Sequence, residues 1–223
     1  ARGADADSAS GKDAILALSG DNDAINFDGN TGVKVKGGNL HSNGGMIKKG
    51  ASGDITVESP GHVYYYSTFS GHTSPFKDAQ PEKGAKTTLQ SITPPYCPSA
   101  AERADGSWTN SGGVLHKTIK GVNYYYYGSG LKDGTLPPGI HCIDGGIDKA
   151  DVSGTNVLLV LLSGHVKQTG NDSMTLSAAS SLIDANGNQF GGLVFYAPPS
   201  NTEELKFGGN SGAYFYGTIL APG

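Results

Sequence analysis

Two runs of consecutive tyrosines are the most unusual chemistry in this sequence. They are Tyr64, Tyr65 and Tyr66, and then Tyr124, Tyr125, Tyr126 and Tyr127. In a strand, alternate side chains face opposite sides, so one or two tyrosines of each run are expected to point outward. An outward tyrosine presents a large apolar ring with a polar end, which suits a protein interface or stacking on a sugar ring. The alternative is that both runs pack beneath another segment of the chain.

Acidic and basic side chains form no recognisable catalytic group. A glycosidase needs a facing pair of carboxylates, and a polysaccharide lyase needs a base with carboxylates that hold calcium or substrate. Glutamate is rare, and the two arginines, Arg2 and Arg103, lie outside the regular apolar segments. The histidines occur singly, without H-x-H or H-E-x-x-H spacing. We therefore predict that the protein is not an enzyme, and keep a polysaccharide lyase or hydrolase as the weakest alternative.

Clusters of aspartate and asparagine raise the question of calcium. They are Asp21-Asn22-Asp23, Asp28-Gly29-Asn30, and Asp148 with Asp151. Calcium takes six to eight oxygen ligands, but neither the D-x-D-x-D-G loop nor the G-G-x-G-x-D repeat is present. Tight corners alone account for these residues, so the sequence predicts no metal and no cofactor.

The two cysteines, Cys97 and Cys142, are not part of a C-x-x-C pair, which disfavours a zinc site. A disulfide between them is the natural interpretation for an exported protein, and the chain-entropy model gives it about 3–4 kcal/mol of stabilisation. Two buried free thiols in a cytosolic protein are the alternative.

The elements that carry these residues are short apolar segments separated by Gly, Asn, Asp and Ser. The segments before the first proline-rich stretch are Ala14–Leu18, Ala24–Phe27, Val33–Val35, Leu40, Met46–Ile47, Ile55–Val57 and Val63–Tyr66. Apolar and polar residues alternate within them, which indicates strands with one face in a core. The run Val157–Leu162 is continuously aliphatic and predicts a central strand that is covered on both faces.

These features predict an all-β fold, and we favour a single-stranded parallel β-helix (solenoid) over an antiparallel β-sandwich. The strands are very short and the corners are single G-N or G-D units. Residues 14–223 are expected to form one β-helix domain, interrupted by a Pro-rich excursion at about 67–111. Residues 1–13 are expected to be a tail or the end of a helix. The strand near Gly223 is expected to leave an open sheet edge.

Composition limits the partners and the compartment. The net charge is −4 and only 16% of residues are charged, so no nucleic-acid surface is predicted. No apolar stretch is long enough to span a membrane. The chain is rich in Gly, Ser, Thr, Asn and Tyr, which favours an extracellular or cell-surface protein, and Ala1 is expected to begin a processed or trimmed chain.

Several glycine-bounded motifs resemble those of a known family. They are Leu136–Cys142 with Gly145-Gly146-Ile147, Gly154–Gly164, Gly192–Tyr196, Gly217–Pro222, and more loosely Phe27–Asn30 with Val33–Gly38. Together they resemble the solenoid region of TadE/TadG-like proteins, which are encoded with bacterial Flp (Tad) pilus machinery. The resemblance covers about residues 14–66 and 134–223, and it implies an envelope or surface protein with a structural or assembly role. This sequence does not show the N-terminal membrane helix usual in that family, and we therefore expect a processed or truncated chain.

We therefore expect a non-enzymatic structural or adhesive surface protein that is associated with a pilus or filament. It would assemble with itself, end to end or laterally, or with a pilus or envelope component, through its solenoid ends and Tyr-rich faces. A carbohydrate-binding module is the alternative. Aromatic residues in a row along a groove would favour glycan binding, whereas tyrosines at the solenoid ends or in a surface patch would favour assembly.

Overall fold

The structure, a computed structural model, describes residues 13–30, 32–36, 38–87, 93–168, 172–206 and 213–221. It is 46% strand and 2% helix, and its stacked parallel strands form a β-solenoid of about 9 turns. The predicted parallel β-helix is thus confirmed, and the antiparallel sandwich is rejected. The predicted tail at residues 1–13 lies outside the described residues, except for Asp13, which begins the first strand.

Ten short strands, β1 to β10, form the N-terminal half. They are Asp13–Ala17, Ile25–Phe27, Val33–Val35, Asn39–Ser42, Met46–Lys48, Ile55–Val57, Val63–Tyr65, Phe69–Gly71, Phe76–Lys77 and Pro81–Lys83. The first seven coincide with the apolar segments of the sequence. The last three strands fall inside the predicted Pro-rich excursion. The irregular connection therefore begins later in the chain than predicted. Phe69 and Phe76 contribute to the core of this half, although prolines surround them in the sequence.

One short helix and fourteen strands make up the rest of the described chain. Helix α1 is Ala100–Arg103; strands β11 to β24 are Thr109–Ser111, Val114–Ile119, Val122–Tyr127, Gly134–Leu136, Gly139–Ile143, Ile147–Asp148, Val152–Thr155, Val157–Leu161, Val166–Lys167, Met174–Ser177, Leu193–Tyr196, Leu205–Lys206, Ala213–Tyr216 and Thr218–Ala221. Strands β11, β12 and β13 pair antiparallel, and each of the other strand pairs in the described sheets is parallel.

The strands build three walls around an apolar interior. The first wall is one sheet of eleven strands in the order β10-β7-β4-β1-β24-β21-β18-β15-β13-β12-β11. The second wall consists of two separate sheets, β2-β5-β8 and β16-β19-β22, and the third wall of β3-β6-β9 and β14-β17-β20-β23. Only the first wall is therefore continuous from the N-terminal half to the C-terminal half.

The two halves meet where the last strand pairs with the first. Strand β24 runs parallel to β1, with Ile219 opposite Ile15 and Leu220 opposite Leu16. We call this junction the seam: β22, β23 and β24 on one side, and β1, β2 and β3 on the other. The prediction of an open edge at the C-terminal strand is wrong, because β24 lies between β21 and β1. The free edges of the first wall are β10 and β11.

This coil order explains the long irregular connection. The chain leaves the first wall at β10 and re-enters it at β11, the opposite edge, about 48 Å away for eleven strands spaced ~4.8 Å apart. We call residues 84–108 the crossover. The side chain of Asn43 bonds both backbone groups of Thr87, at 2.7 and 2.8 Å, and the Tyr96 amide donates to Asp184 at 2.9 Å. These bonds attach the described parts of the crossover to the solenoid, at Asn43 just after β4 and at Asp184 between β20 and β21.

The predicted disulfide also anchors the crossover. Cys97 is bonded to Cys142 on β15, 45 residues away, with a Cα–Cα distance of 5.9 Å, within the usual range for a disulfide. Strand β18, the predicted central strand, is buried along its whole length. Its Leu159 and Leu161 belong to the interior core, and its Leu158 and Val160 to a second cluster beneath the crossover. The prediction of a strand covered on both faces is confirmed.

Candidate binding surface

The second tyrosine run alternates between buried and half-buried positions. Tyr124 and Tyr126 face the crossover and are almost completely buried. The Arg103 guanidinium lies 3.7 Å from the centre of the Tyr126 ring, and the hydroxyl of Tyr124 accepts a hydrogen bond of 2.7 Å from the Ala185 amide. Burial raises the pKa of Tyr124 to about 12. The Tyr124 ring also packs edge-on against Tyr96 of the crossover, with ring centres 5.5 Å apart. Both side chains therefore hold the crossover to the wall and are not available to a partner.

Tyr125 and Tyr127 of the same run contact a buried histidine. The Tyr125 ring stacks on His141 with 4.7 Å between ring centres, and the Tyr127 hydroxyl lies 3.0 Å from His141 Nδ1. His141 Nε2 lies 2.9 Å from the Pro137 carbonyl, which can only accept, so Nε2 carries the proton and Nδ1 accepts from Tyr127. Burial lowers the pKa of His141 to about 4, the Pro137 bond opposing this shift, so the ring is neutral at pH 7.

The first tyrosine run contributes one exposed ring. Tyr64 and Tyr65 are half-buried, and Tyr64 stacks on His62 with ring centres 5.3 Å apart. Tyr66 is 42% exposed, and the Lys86 ammonium lies 4.8 Å from its ring centre. Of the seven tyrosines predicted as interface residues, only Tyr66 is an exposed side chain.

Among the tyrosine, phenylalanine and tryptophan residues that the structure describes, the two most exposed are tyrosines that the sequence prediction did not single out. Tyr214 and Tyr216 on β23 are 49% and 58% exposed. They are two residues apart and thus point to the same side of the strand. In register with them on β20 lie Thr175 and Ser177. The alternation in A-Y-F-Y, residues 213–216, was the available signal, because it places Phe215 inside and both tyrosines outside.

The seam brings these tyrosines next to two lysines. Strands β23 and β3 are the terminal strands of the two sheets that form the third wall. Lys34 on β3 and Lys36 just after it are exposed, and Glu58 lies 2.9 Å from the Lys34 ammonium and 3.7 Å from that of Lys36. We call Tyr214, Tyr216, Lys34 and Lys36 the tyrosine–lysine face.

A cavity of about 300 Å³ lies inside the seam. The interior core is divided there, because the buried residues of the two halves form separate clusters. Ala17 and Ala221 are paired across the seam and line the cavity, so small side chains leave the space open. The apolar lining also includes Ile25, Phe27 and Val35, while all four residues of the tyrosine–lysine face line it as well. Because those four are exposed, they mark the mouth of the cavity.

On the other side of the seam, an ion pair joins the halves of the second wall. Lys206 Nζ lies 2.9 Å from the Asp28 carboxylate. The hydrogen bond to Lys206 is the main cause that lowers the pKa of Asp28. An ion pair therefore links the two sheets of the second wall, while backbone pairing links the two halves of the first wall.

The described residues contain no group of three or more His, Cys, Asp or Glu side chains that could hold a metal ion. Three of the glutamates have protein partners: Glu58 pairs with Lys34, Glu82 lies 3.0 Å from His62, and Glu102 caps helix α1. Among the same described residues, no helix is both long enough and apolar enough to cross a membrane.

No family model, no curated protein and no solved structure matches the chain. The surface and the cavity must therefore be interpreted from their own geometry and chemistry.

Proposed function

We propose that this chain is a non-enzymatic structural module of an extracellular or cell-surface filament or pilus assembly, and that copies associate laterally through the tyrosine–lysine face. The observation that carries the proposal is the exposure of Tyr214 and Tyr216 side by side on a regular wall. Exposed tyrosine is enriched in protein interfaces, because a rigid ring buries much area at a low cost in side-chain entropy. The resemblance to TadE/TadG-like proteins supports the same role.

The disulfide supports the proposed extracellular or cell-surface location. Disulfides persist in oxidising environments such as the cell exterior and the periplasm, and the Cys97–Cys142 bond holds the crossover in place. A protein that works outside the cell gains from such a cross-link, because it restricts the unfolded chain.

Lateral contact is favoured over end-to-end contact by the residues at the two edges of the first wall. Strand β10 exposes Glu82 and Lys83, and all three residues of β11, Thr109–Ser111, are exposed and polar. Charged and polar edge strands oppose edge-to-edge pairing. The tyrosine–lysine face also carries charge, but the exposed rings of Tyr214 and Tyr216 offer apolar area for burial.

The proposal is tested by sedimentation velocity and electron microscopy over a wide range of protein concentration. We expect oligomers or filaments that grow with concentration, and their loss in the double variant Tyr214→Ser/Tyr216→Ser. The matched control is Tyr66→Ser, which removes an exposed tyrosine from another wall and should leave association unchanged. A wild-type protein that stays monomeric at the highest concentration would refute lateral self-assembly.

Glycan binding is the second candidate, and one observation favours it. Tyr214 and Tyr216 lie about 7 Å apart along their strand, beside the hydroxyl groups of Thr175 and Ser177. Two rings flanked by hydroxyl groups can stack on and hydrogen-bond to sugars. A glycan array distinguishes the candidates: a glycan that binds the monomer, and binds the double tyrosine variant at least tenfold more weakly, would favour this function over assembly.

A further inference from the structure

The interior of the solenoid is densely filled in each half and open at the seam. Leu40, Met46 and Ile55 of one half, and Val157, Leu159 and Leu161 of the other, are completely buried. Between the two clusters, the inward positions of the first wall are occupied by two pairs, Ile15 with Ile219 and Ala17 with Ala221, and the alanine pair leaves space unfilled. The cavity is therefore a consequence of which residues the chain places at the seam. Protein interiors leave few spaces of this size.

The lining defines one part of a ligand. Ile25, Phe27, Val33, Val35 and Ile219 present hydrocarbon to the cavity. An engineered apolar cavity of about 150 Å³ is known to bind benzene. On that scale, the seam cavity of about 300 Å³ accommodates a chain of about twelve carbon atoms.

The residues at the mouth of the cavity define the other part of the ligand. Lys34 and Lys36 line the cavity and are also exposed, with side-chain exposures of 50% and 58%. Glu58 is a half-buried partner to both, and the three charges sum to one net positive charge. An anionic group at the mouth can pair with the lysine ammonium groups in place of Glu58.

We propose that the seam cavity binds one amphiphile, with a single hydrocarbon chain inside the solenoid and an anionic head group at Lys34 and Lys36. The class includes medium-chain carboxylates and single-chain lipids with an acidic head. This inference does not depend on lateral assembly, because the site is complete within one chain. An amphiphile bound there would place its head group beside Tyr214 and Tyr216.

Calorimetric titration of the monomeric protein at pH 7.5 tests this, with decanoate as the anionic probe and decanol as its neutral counterpart. We expect one saturable site that binds decanoate several-fold more tightly than decanol. Lys34→Ala/Lys36→Ala should weaken decanoate about tenfold and change decanol less than twofold. Glu58→Gln should strengthen decanoate binding, because it removes the competing carboxylate.

Filling the cavity provides the matched structural control. Ala17→Leu places a larger side chain in the cavity and should weaken both probes at least tenfold while thermal unfolding stays cooperative. If that variant does not fold, Val33→Phe fills the same space from the third wall. Three results would overturn the proposal: no saturable binding to the wild-type protein, full binding to a folded cavity-filled variant, or a decanoate affinity that the lysine and Glu58 variants leave unchanged.

Discussion

His141 should make the free energy of unfolding depend on pH. Substituting this histidine should remove that part of the pH dependence. His141 is completely buried and neutral, with Nε2–H donating to the Pro137 carbonyl and Nδ1 accepting from Tyr127. Protonation at Nδ1 would leave two donors facing each other in an apolar environment. The pKa of His141 is accordingly lowered to about 4 in the folded protein, against about 6.5 in an unfolded chain.

The direction of the change in unfolding free energy follows from proton binding. Well above pH 6.5 neither the folded nor the unfolded chain carries the proton, and His141 adds no pH dependence. As the pH falls below 6.5, the unfolded chain binds a proton that the folded protein does not bind, so the free energy of unfolding decreases. The loss reaches about 2 kcal/mol at pH 5 and levels off at about 3 kcal/mol below the folded pKa of about 4.

Urea denaturation at pH 7, 6, 5 and 4 measures the contribution of His141 to the pH dependence of the unfolding free energy. His141→Gln should be less stable than the wild type at pH 7, because it loses the stacking and the packing of the ring. Its decrease in unfolding free energy between pH 7 and pH 4 should nevertheless be about 3 kcal/mol smaller than that of the wild type. His72→Gln, at an exposed position, is the control and should retain the wild-type pH dependence. Equal pH dependence in His141→Gln and wild type would refute the argument.

Three further variants test the fold. Cys97→Ala/Cys142→Ala removes a 45-residue cross-link and should lower the free energy of unfolding by about 4 kcal/mol; an unchanged urea midpoint would contradict this. Leu158→Ala empties a completely buried position beneath the crossover and should cost about 2–5 kcal/mol in the same assay. Gly45→Ala would place a Cβ 1.9 Å from the Asn22 carbonyl oxygen, so its melting temperature should fall; wild-type stability would show that adjacent coils can separate there.

Much of the local structure could be predicted from the sequence. Segments such as Ala24–Phe27, Val33–Val35 and Ile55–Val57 became strands within a residue of their predicted bounds. The reason is that a two-residue alternation and glycine-containing corners are encoded by neighbouring residues. The disulfide was predictable as well, because two cysteines offer one intramolecular pairing.

The candidate surface was less predictable. The seven tyrosines of the two runs were predicted as interface residues because consecutive tyrosines are unusual. Tyr124 and Tyr126 lie under the crossover, and of the seven only Tyr66 is exposed. A two-residue period tells which residues share a face, but it does not tell which face is covered by a distant segment. Tyr214 and Tyr216 became candidates only when the wall on which they lie was seen to be uncovered.

The sequence by itself determined that the chain forms short strands with glycine corners, stacks them in parallel, and ties a long connection back through Cys97. The tertiary structure decided the order of the coils. Pairing of Ile15 with Ile219 joins residues some two hundred positions apart, and no local pattern reports such a contact. That one pairing produces the seam, its cavity and the tyrosine–lysine face, because the N-terminal and C-terminal halves of the solenoid meet at the seam.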